Sequence, residues 1–80
     1  MKPIEVFSRQ GCHLCEQLIE ELSPLVRGRL ELVVHDIDSR DDWLRDYDTR
    51  VPVVKYDGEL VCQYYLDRDA LAKILSNRLT

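Results

Sequence analysis

The order of apolar segments constrains this chain more than any other feature of its sequence. Residues 4–7 are typical of a short strand, and residues 30–37 are a second such segment that contains a nearly continuous apolar run, Leu32-Val33-Val34. Between them, leucines recur at spacings of four, four and three residues, which is the period of one helix face: Leu14, Leu18, Leu22 and Leu25. Strand, helix and strand form a right-handed crossover with parallel strands. The second run is typical of a parallel strand that is covered on both faces.

Two residues near the end of this first helix affect its shape and its length. Pro24 lacks an amide donor, so we expect it to kink the helix. Gly28 marks the outer limit, because glycine readily takes the left-handed conformation that ends a helix.

The second half of the chain predicts a helix, a hairpin and a last helix. Ser39 is placed to cap the helix, which carries Asp41 and Asp42 in its first turn. Its inward-facing residues are Trp43, Leu44 and Tyr47. Residues 51–56 and 59–65 are strands joined by Asp57-Gly58, the dipeptide preferred in two-residue type I′ turns. Asp67 is placed to cap the last helix, whose apolar side is formed by Leu71, Ile74, Leu75 and Leu79.

Length and charge restrict the classes of function. Eighty residues allow one domain, spanning residues 1–80, and 45% hydrophobic residues provide a small core. A net charge of −4 is opposite to that of a nucleic-acid-binding surface. With no apolar run long enough for a membrane and no signal-peptide pattern at the start, we expect a cytoplasmic monomer with no membrane or nucleic-acid partner.

The chemistry of the chain is indicated by its cysteines. Cys12 and Cys15 form a C-x-x-C motif where the loop after the first strand enters the first helix. Unpaired amides and the helix dipole at that end stabilise a thiolate, so Cys12 is the expected nucleophile. Cys15 lies one turn deeper and is the expected resolving thiol. Arg9 could add positive charge beside the thiolate or bind an anionic substrate group, and His13 is a further candidate contact.

Other roles for the cysteines remain open from the sequence. A permanent structural disulfide or inert core cysteines are the less favoured alternatives. A metal site would need further ligands, and the candidates are Cys62, His13 and His35. Because the sequence has no second C-x-x-C motif, we expect no metal site. Cys62 alternates with Leu60 along its strand, where such a cysteine usually acts as a small apolar residue.

The stretch from Phe7 to Cys15 resembles the active-site segment of the glutaredoxins, and residues 51–58 resemble their cis-proline segment and hairpin. The resemblance covers nearly the whole chain and is closest to small bacterial glutaredoxin-like proteins. It implies a thioredoxin-like α/β fold of order βαβαββα, with a four-stranded mixed sheet in strand order 2-1-3-4 and helices on both faces.

The same resemblance implies several binding residues. Val51-Pro52 would be a cis peptide facing Cys12, with the Val51 backbone offering hydrogen bonds to an extended peptide or to glutathione. Asp67 and Arg68 would bind the γ-glutamyl end of glutathione after a one-residue shift. Cys62-Gln63 stands near the place where glutathione-binding members have two glycines, and His13-Leu14 replaces Pro-Tyr between the cysteines.

These observations predict a thiol–disulfide oxidoreductase of cell redox homeostasis. Cys12 attacks and Cys15 resolves, with protein disulfides or glutathionylated proteins as substrates. We expect no tightly bound cofactor, and glutathione or a reductase as electron donor. The alternatives are a monothiol enzyme that removes glutathione using Cys12 alone, and a non-catalytic metal or iron–sulfur module.

Overall fold

The computed structural model describes residues 2–78 and contains four strands and three α-helices. In chain order they are β1 (Ile4–Ser8), α1 (His13–Val26), β2 (Leu32–Asp36), α2 (Asp41–Tyr47), β3 (Val53–Tyr56), β4 (Glu59–Gln63) and α3 (Arg68–Arg78), with a 3-10 turn at Ile37–Ser39. The sheet order is β2-β1-β3-β4, parallel between β1 and β2 and antiparallel elsewhere. This confirms the predicted fold. No helix in residues 2–78 is long and apolar enough to cross a membrane.

Helix α1 buries the middle of the predicted leucine stripe but differs from it at both ends. Its buried residues are Cys15, Leu18, Leu22 and Val26, whereas Leu14 and Leu25 are half-buried. Cys15 and Val26 extend the same 3.6-residue period, and a stripe read from leucines alone omits them. Pro24 lies inside the helix, which continues to Val26, and Gly28 follows with a φ of 78°.

Strand β2 is less buried than predicted for a strand covered on both faces: none of its residues is buried, and Val34 is 47% exposed. Within residues 2–78 it is an edge strand that pairs only with β1. The strand that is buried on both faces is β1, which lies between β2 and β3 and buries Ile4, Val6 and Phe7.

Ser39 does not cap α2, contrary to the prediction. Its hydroxyl instead donates to the Asp36 carbonyl oxygen at 2.6 Å, within the 3-10 turn that precedes the helix. Helix α2 therefore has Arg40 at its N-cap position, with no side-chain cap. Asp41 and Asp42 do lie in its first turn, and Trp43, Leu44 and Tyr47 pack inward while staying half-buried.

The hairpin turn has the predicted backbone. Asp57 and Gly58 have φ values of 54° and 79°, the two positive values that a type I′ turn requires. The strand alternation predicted for β4 fails at a register shift, because Val54 pairs with Cys62 while Lys55 pairs with Leu60. The extra residue turns Leu60 outward, so that it is 57% exposed while Cys62 is 9% exposed.

Helix α3 begins as predicted. The Asp67 carboxylate accepts the Ala70 amide N–H at 3.0 Å, and Leu71 is buried with Ile74 and Leu75 packed beside the core. Leu79, predicted for the same side, lies outside the described residues.

Two hydrophobic clusters lie on the two faces of the sheet. The main cluster joins α1 and α3 to Ile4, Val6 and Val54. The smaller cluster, around Phe7, Ile37 and Val53, is covered by α2. Consecutive residues in β1 and β3 thus contribute to opposite clusters, as the alternation of strand side chains requires.

Candidate active site

Cys12 occupies the N-cap position of α1, immediately after a sharp turn. Gly11 has a φ of 78°, which favours glycine, and the Cys12 amide N–H donates to the Arg9 carbonyl oxygen at 3.3 Å. The Cys12 backbone is extended, and its sulfur accepts the Cys15 amide N–H at 3.1 Å. A sulfur atom therefore fills the capping role that a serine or aspartate oxygen fills in other helices.

The two cysteines of the motif form a disulfide. Their Cα atoms are 5.2 Å apart, well inside the range that a disulfide spans. Cys15 is 2% exposed and Cys12 is half-buried. The more accessible sulfur is therefore the one at the helix terminus, in agreement with the predicted depths of the two residues.

Arg9 is held by two carboxylates from distant parts of the chain. Its guanidinium contacts Asp38 through two nitrogens, at 3.2 and 3.3 Å, and Asp48 through a third, at 2.9 Å. Hydrogen bonds and charge, first from Asp38 and then from Asp48, raise the pKa of Arg9 above its ordinary value. The structure thus places this charge in an ion-pair network that joins the loop before Cys12 to the 3-10 turn and to the segment after α2.

His13 points into solvent at the first position of α1. Its side chain is 99% exposed, and its ring lies near Glu16, with 3.9 Å between Nδ1 and a carboxylate oxygen. The residue is accessible to a partner that approaches Cys12.

The Val51–Pro52 peptide bond is cis, and Pro52 is buried. The Pro52 carbonyl oxygen accepts the Tyr64 amide N–H at 2.8 Å, which ties this segment to the end of β4. Tyr64, with a φ of 65°, borders the segment and was missed by sequence reasoning. The hairpin register could have indicated it, because Gln63 pairs with Val53 and the next residue along lies opposite Pro52.

Asp67 and Arg68 lie at the start of α3, beside an open groove of about 590 Å³ that Cys62, Gln63 and Tyr65 also line. One Asp67 carboxylate oxygen is engaged in the helix cap. Burial raises the pKa of the Cys62 thiol above its ordinary value. Cys62 and Gln63, at the predicted glycine positions, are buried and half-buried respectively.

The further metal ligands considered from the sequence are not gathered around the cysteine pair. Within residues 2–78, no group of three or more His, Cys, Asp and Glu side chains is arranged to hold a metal ion. His35 pairs instead with Glu5, with 2.7 Å between Nε2 and a carboxylate oxygen.

A C-x-x-C disulfide at the N-terminus of the helix that follows β1, in a 2-1-3-4 sheet, defines a thioredoxin-fold protein with a thiol redox site. The family model described as Glutaredoxin-like domain (DUF836) matches residues 3–76, and the chain belongs to this family.

Solved structures agree with this assignment. The solution NMR structure of a protein from Nitrosomonas europaea is 36% identical, with a TM-score of 0.79 over 91% of this chain and 89% of that one. The X-ray structure of a protein from X. campestris is 27% identical, with a TM-score of 0.72 over 92% and 96% of the two chains. Glutaredoxin C1 from Populus tremula x tremuloides, 23% identical, shares the fold with a TM-score of 0.56 over 96% of this chain and 78% of that one. No curated protein matches the sequence significantly.

Proposed function

We propose that this chain is a dithiol oxidoreductase that reduces disulfides on proteins. The Cys12 thiolate attacks one sulfur of the substrate disulfide, forms a mixed disulfide and releases the other sulfur as a thiolate that takes a proton from water. The Cys15 thiol then loses its proton and attacks the Cys12 sulfur. This step closes the Cys12–Cys15 bond and releases the second substrate thiol, so two electrons pass from the pair to the substrate.

The observation that supports this proposal is the accessible Cys12 sulfur at the N-cap of α1, bonded to the buried Cys15. The cap position directs the Cys15 amide at the Cys12 sulfur. Because the free amides and dipole of a helix N-terminus favour negative charge, this position stabilises the thiolate form of Cys12 in the reduced protein.

Single-cysteine variants test the two roles. We expect Cys12→Ser to abolish reduction of a model protein disulfide and Cys15→Ser to stop turnover while trapping the substrate on Cys12, seen as a mixed disulfide by mass spectrometry. Cys62→Ser, the matched control, should retain turnover. Turnover by Cys12→Ser would refute the proposal. Full activity of Cys15→Ser on a glutathionylated protein would instead support a monothiol mechanism.

We further propose that glutathione or a dithiol reductase regenerates the pair, a cycle suited to a reducing compartment such as the cytoplasm. Glutathione would reach Cys12 by way of the Val51-Pro52 segment and the groove beside Asp67 and Arg68. The rate at which the Cys12–Cys15 disulfide is reduced, measured with glutathione and with a dithiol reductase, shows which of these two is the electron donor. Replacing Gln63 with glycine should accelerate only the glutathione reaction if its side chain restricts access.

A further inference from the structure

A second groove lies between the end of α1 and the first two turns of α3. It encloses about 390 Å³. Apolar side chains from both helices line it, among them Leu25, Leu71 and Leu75. The groove borders the main hydrophobic cluster, in which Leu71 is buried and the other two leucines are half-buried. A partly exposed apolar surface of this kind is stabilised when a ligand covers it.

Three arginines surround the apolar surface: Arg27, Arg29 and Arg68. All three are exposed, and none of the described residues that line the groove is acidic. Arg27 and Arg29 flank Gly28 just beyond α1, while Arg68 opens α3, so the charges come from both sides of the groove.

Some of the described arginines form ion pairs with carboxylates and others do not. Arg9, Arg40 and Arg45 each pair with aspartates. Among the side chains described, the three arginines of the groove pair with no carboxylate. Arg50 also lacks a carboxylate partner among the described residues, but it lies apart, beside Tyr47 and Val53. The groove is therefore where three unpaired arginines come together in a chain whose net charge is −4.

The α1 end of the groove is distant from the redox pair, whereas Arg68, on the other side, also borders the larger groove beside Asp67. Fifteen positions along α1 separate Cys12 from Arg27, which corresponds to about 20 Å at the rise of an α-helix. A ligand bound here leaves the Cys12 sulfur free. The groove therefore suits a contact that holds a partner close rather than one that presents the disulfide to be reduced.

We propose that this groove binds an acidic segment of a partner protein, with carboxylates paired to the arginines and an apolar side chain on the leucines between them. Guanidinium groups bind carboxylates with two parallel hydrogen bonds, and arginines on both sides of an apolar surface require separate carboxylates on one ligand. A polypeptide that carries acidic residues beside leucine provides both features. The proposal does not depend on the thiol chemistry.

The test is a titration of the full chain, labelled with nitrogen-15, with a short capped peptide of glutamate and leucine. We expect saturable amide shifts confined to the end of α1 and to α3, and weaker binding at higher ionic strength. The double variant Arg27→Glu, Arg29→Glu should bind about tenfold more weakly or worse, because it loses charge-assisted hydrogen bonds. Arg45→Glu, a single charge reversal on α2, should bind within about twofold of the parent chain.

Two further measurements separate this proposal from the proposed function. Cys12→Ser should still bind the peptide, and the double variant should still reduce a small disulfide. The proposal is overturned if the shifts fall elsewhere, if Arg45→Glu weakens binding equally, or if a lysine–leucine peptide binds as well. It is also overturned if octanoate or inorganic phosphate alone displaces the peptide, or if the chain dimerises through this groove, since the occupant is then a small anion or a second copy.

Discussion

The Cys12 sulfur accepts a hydrogen bond from the Cys15 amide N–H. Arg9, the nearest arginine in the sequence, is instead ion-paired with Asp38 and Asp48. One guanidinium with two carboxylates carries a net charge of −1 when all three groups are ionised. This network therefore offers no uncompensated positive charge to the thiolate. The groups that are positioned to stabilise the Cys12 thiolate are therefore the backbone amides at the N-terminus of α1.

We expect Arg9→Gln to change the rate at which Cys12 reacts with iodoacetamide by less than about threefold, because the guanidinium is held by Asp38 and Asp48 at the exposed surface, where water screens its charge. The rate is measured on the reduced protein by mass spectrometry across a range of pH. The double variant Asp38→Asn, Asp48→Asn is the counterpart: it frees the guanidinium and should speed alkylation at low pH. If Arg9→Gln slows alkylation more than about tenfold, Arg9 acts on the sulfur directly.

Cys62 should be inert in the native reduced protein. Burial raises the pKa of its thiol, and only the thiolate attacks alkylating reagents or disulfides. We expect Cys12 to react rapidly and Cys62 only after unfolding, as followed by peptide mapping. Rapid labelling of Cys62 in the folded chain would contradict this expectation.

The same raised pKa links Cys62 to stability. Above the ordinary thiol pKa of 9.0, the unfolded chain loses this proton while the folded chain keeps it, so unfolding becomes more favourable as pH rises. The stabilising contribution is complete below that pH and is lost as pH rises through the folded-state pKa. Urea denaturation should show that the free energy of unfolding is lower at alkaline pH than at neutral pH. This decrease should be smaller in Cys62→Ala than in the parent chain. Equal declines in the two proteins would exclude this linkage.

At the scale of elements, the sequence was informative where structure depends on neighbouring residues. The hairpin turn, the Asp67 cap and the C-x-x-C at a helix terminus were all predicted, since each depends on a few consecutive side chains. The burial of strand β2 was predicted wrongly, because a valine such as Val34 occurs both in exposed edge strands and in buried central strands. The partners of Arg9 lie 29 and 39 residues away, and no local pattern indicates them.

The hairpin turn provides a test at this scale. Gly58 has a φ of 79°, and a Cβ atom added there meets nothing within 4 Å, so a substitution costs backbone conformational energy alone. We expect Gly58→Ala to lower the free energy of unfolding by about 1 kcal/mol. Gly58→Asn should lose less, because asparagine tolerates the left-handed region. Urea denaturation measures both, and equal losses would show that conformation at this position is not what matters.

At the scale of the whole molecule, the two hydrophobic clusters are joined through adjacent residues of the same strands. Val54 belongs to the main cluster and Val53 to the smaller one, and both pair with β1. Neither cluster exists without the sheet between them. A disturbance on one face therefore reaches the other through β1 and β3, and we expect the chain to unfold in a single cooperative transition.

The single tryptophan of the chain makes this expectation testable. Trp43 packs against Phe7, with ring centroids 5.4 Å apart, so its fluorescence reports on the smaller cluster, while far-UV circular dichroism reports on all helices and strands. Val54→Ala deletes buried atoms from the opposite face and should destabilise the chain by about 2 kcal/mol. We expect the fluorescence and dichroism midpoints in urea to fall together, and Val53→Ala, the matched change on the tryptophan side, to shift both in the same way. If Val54→Ala lowers the dichroism midpoint and leaves the fluorescence midpoint in place, the two faces unfold separately, and the region around α2 is then stable without the cluster that contains α1.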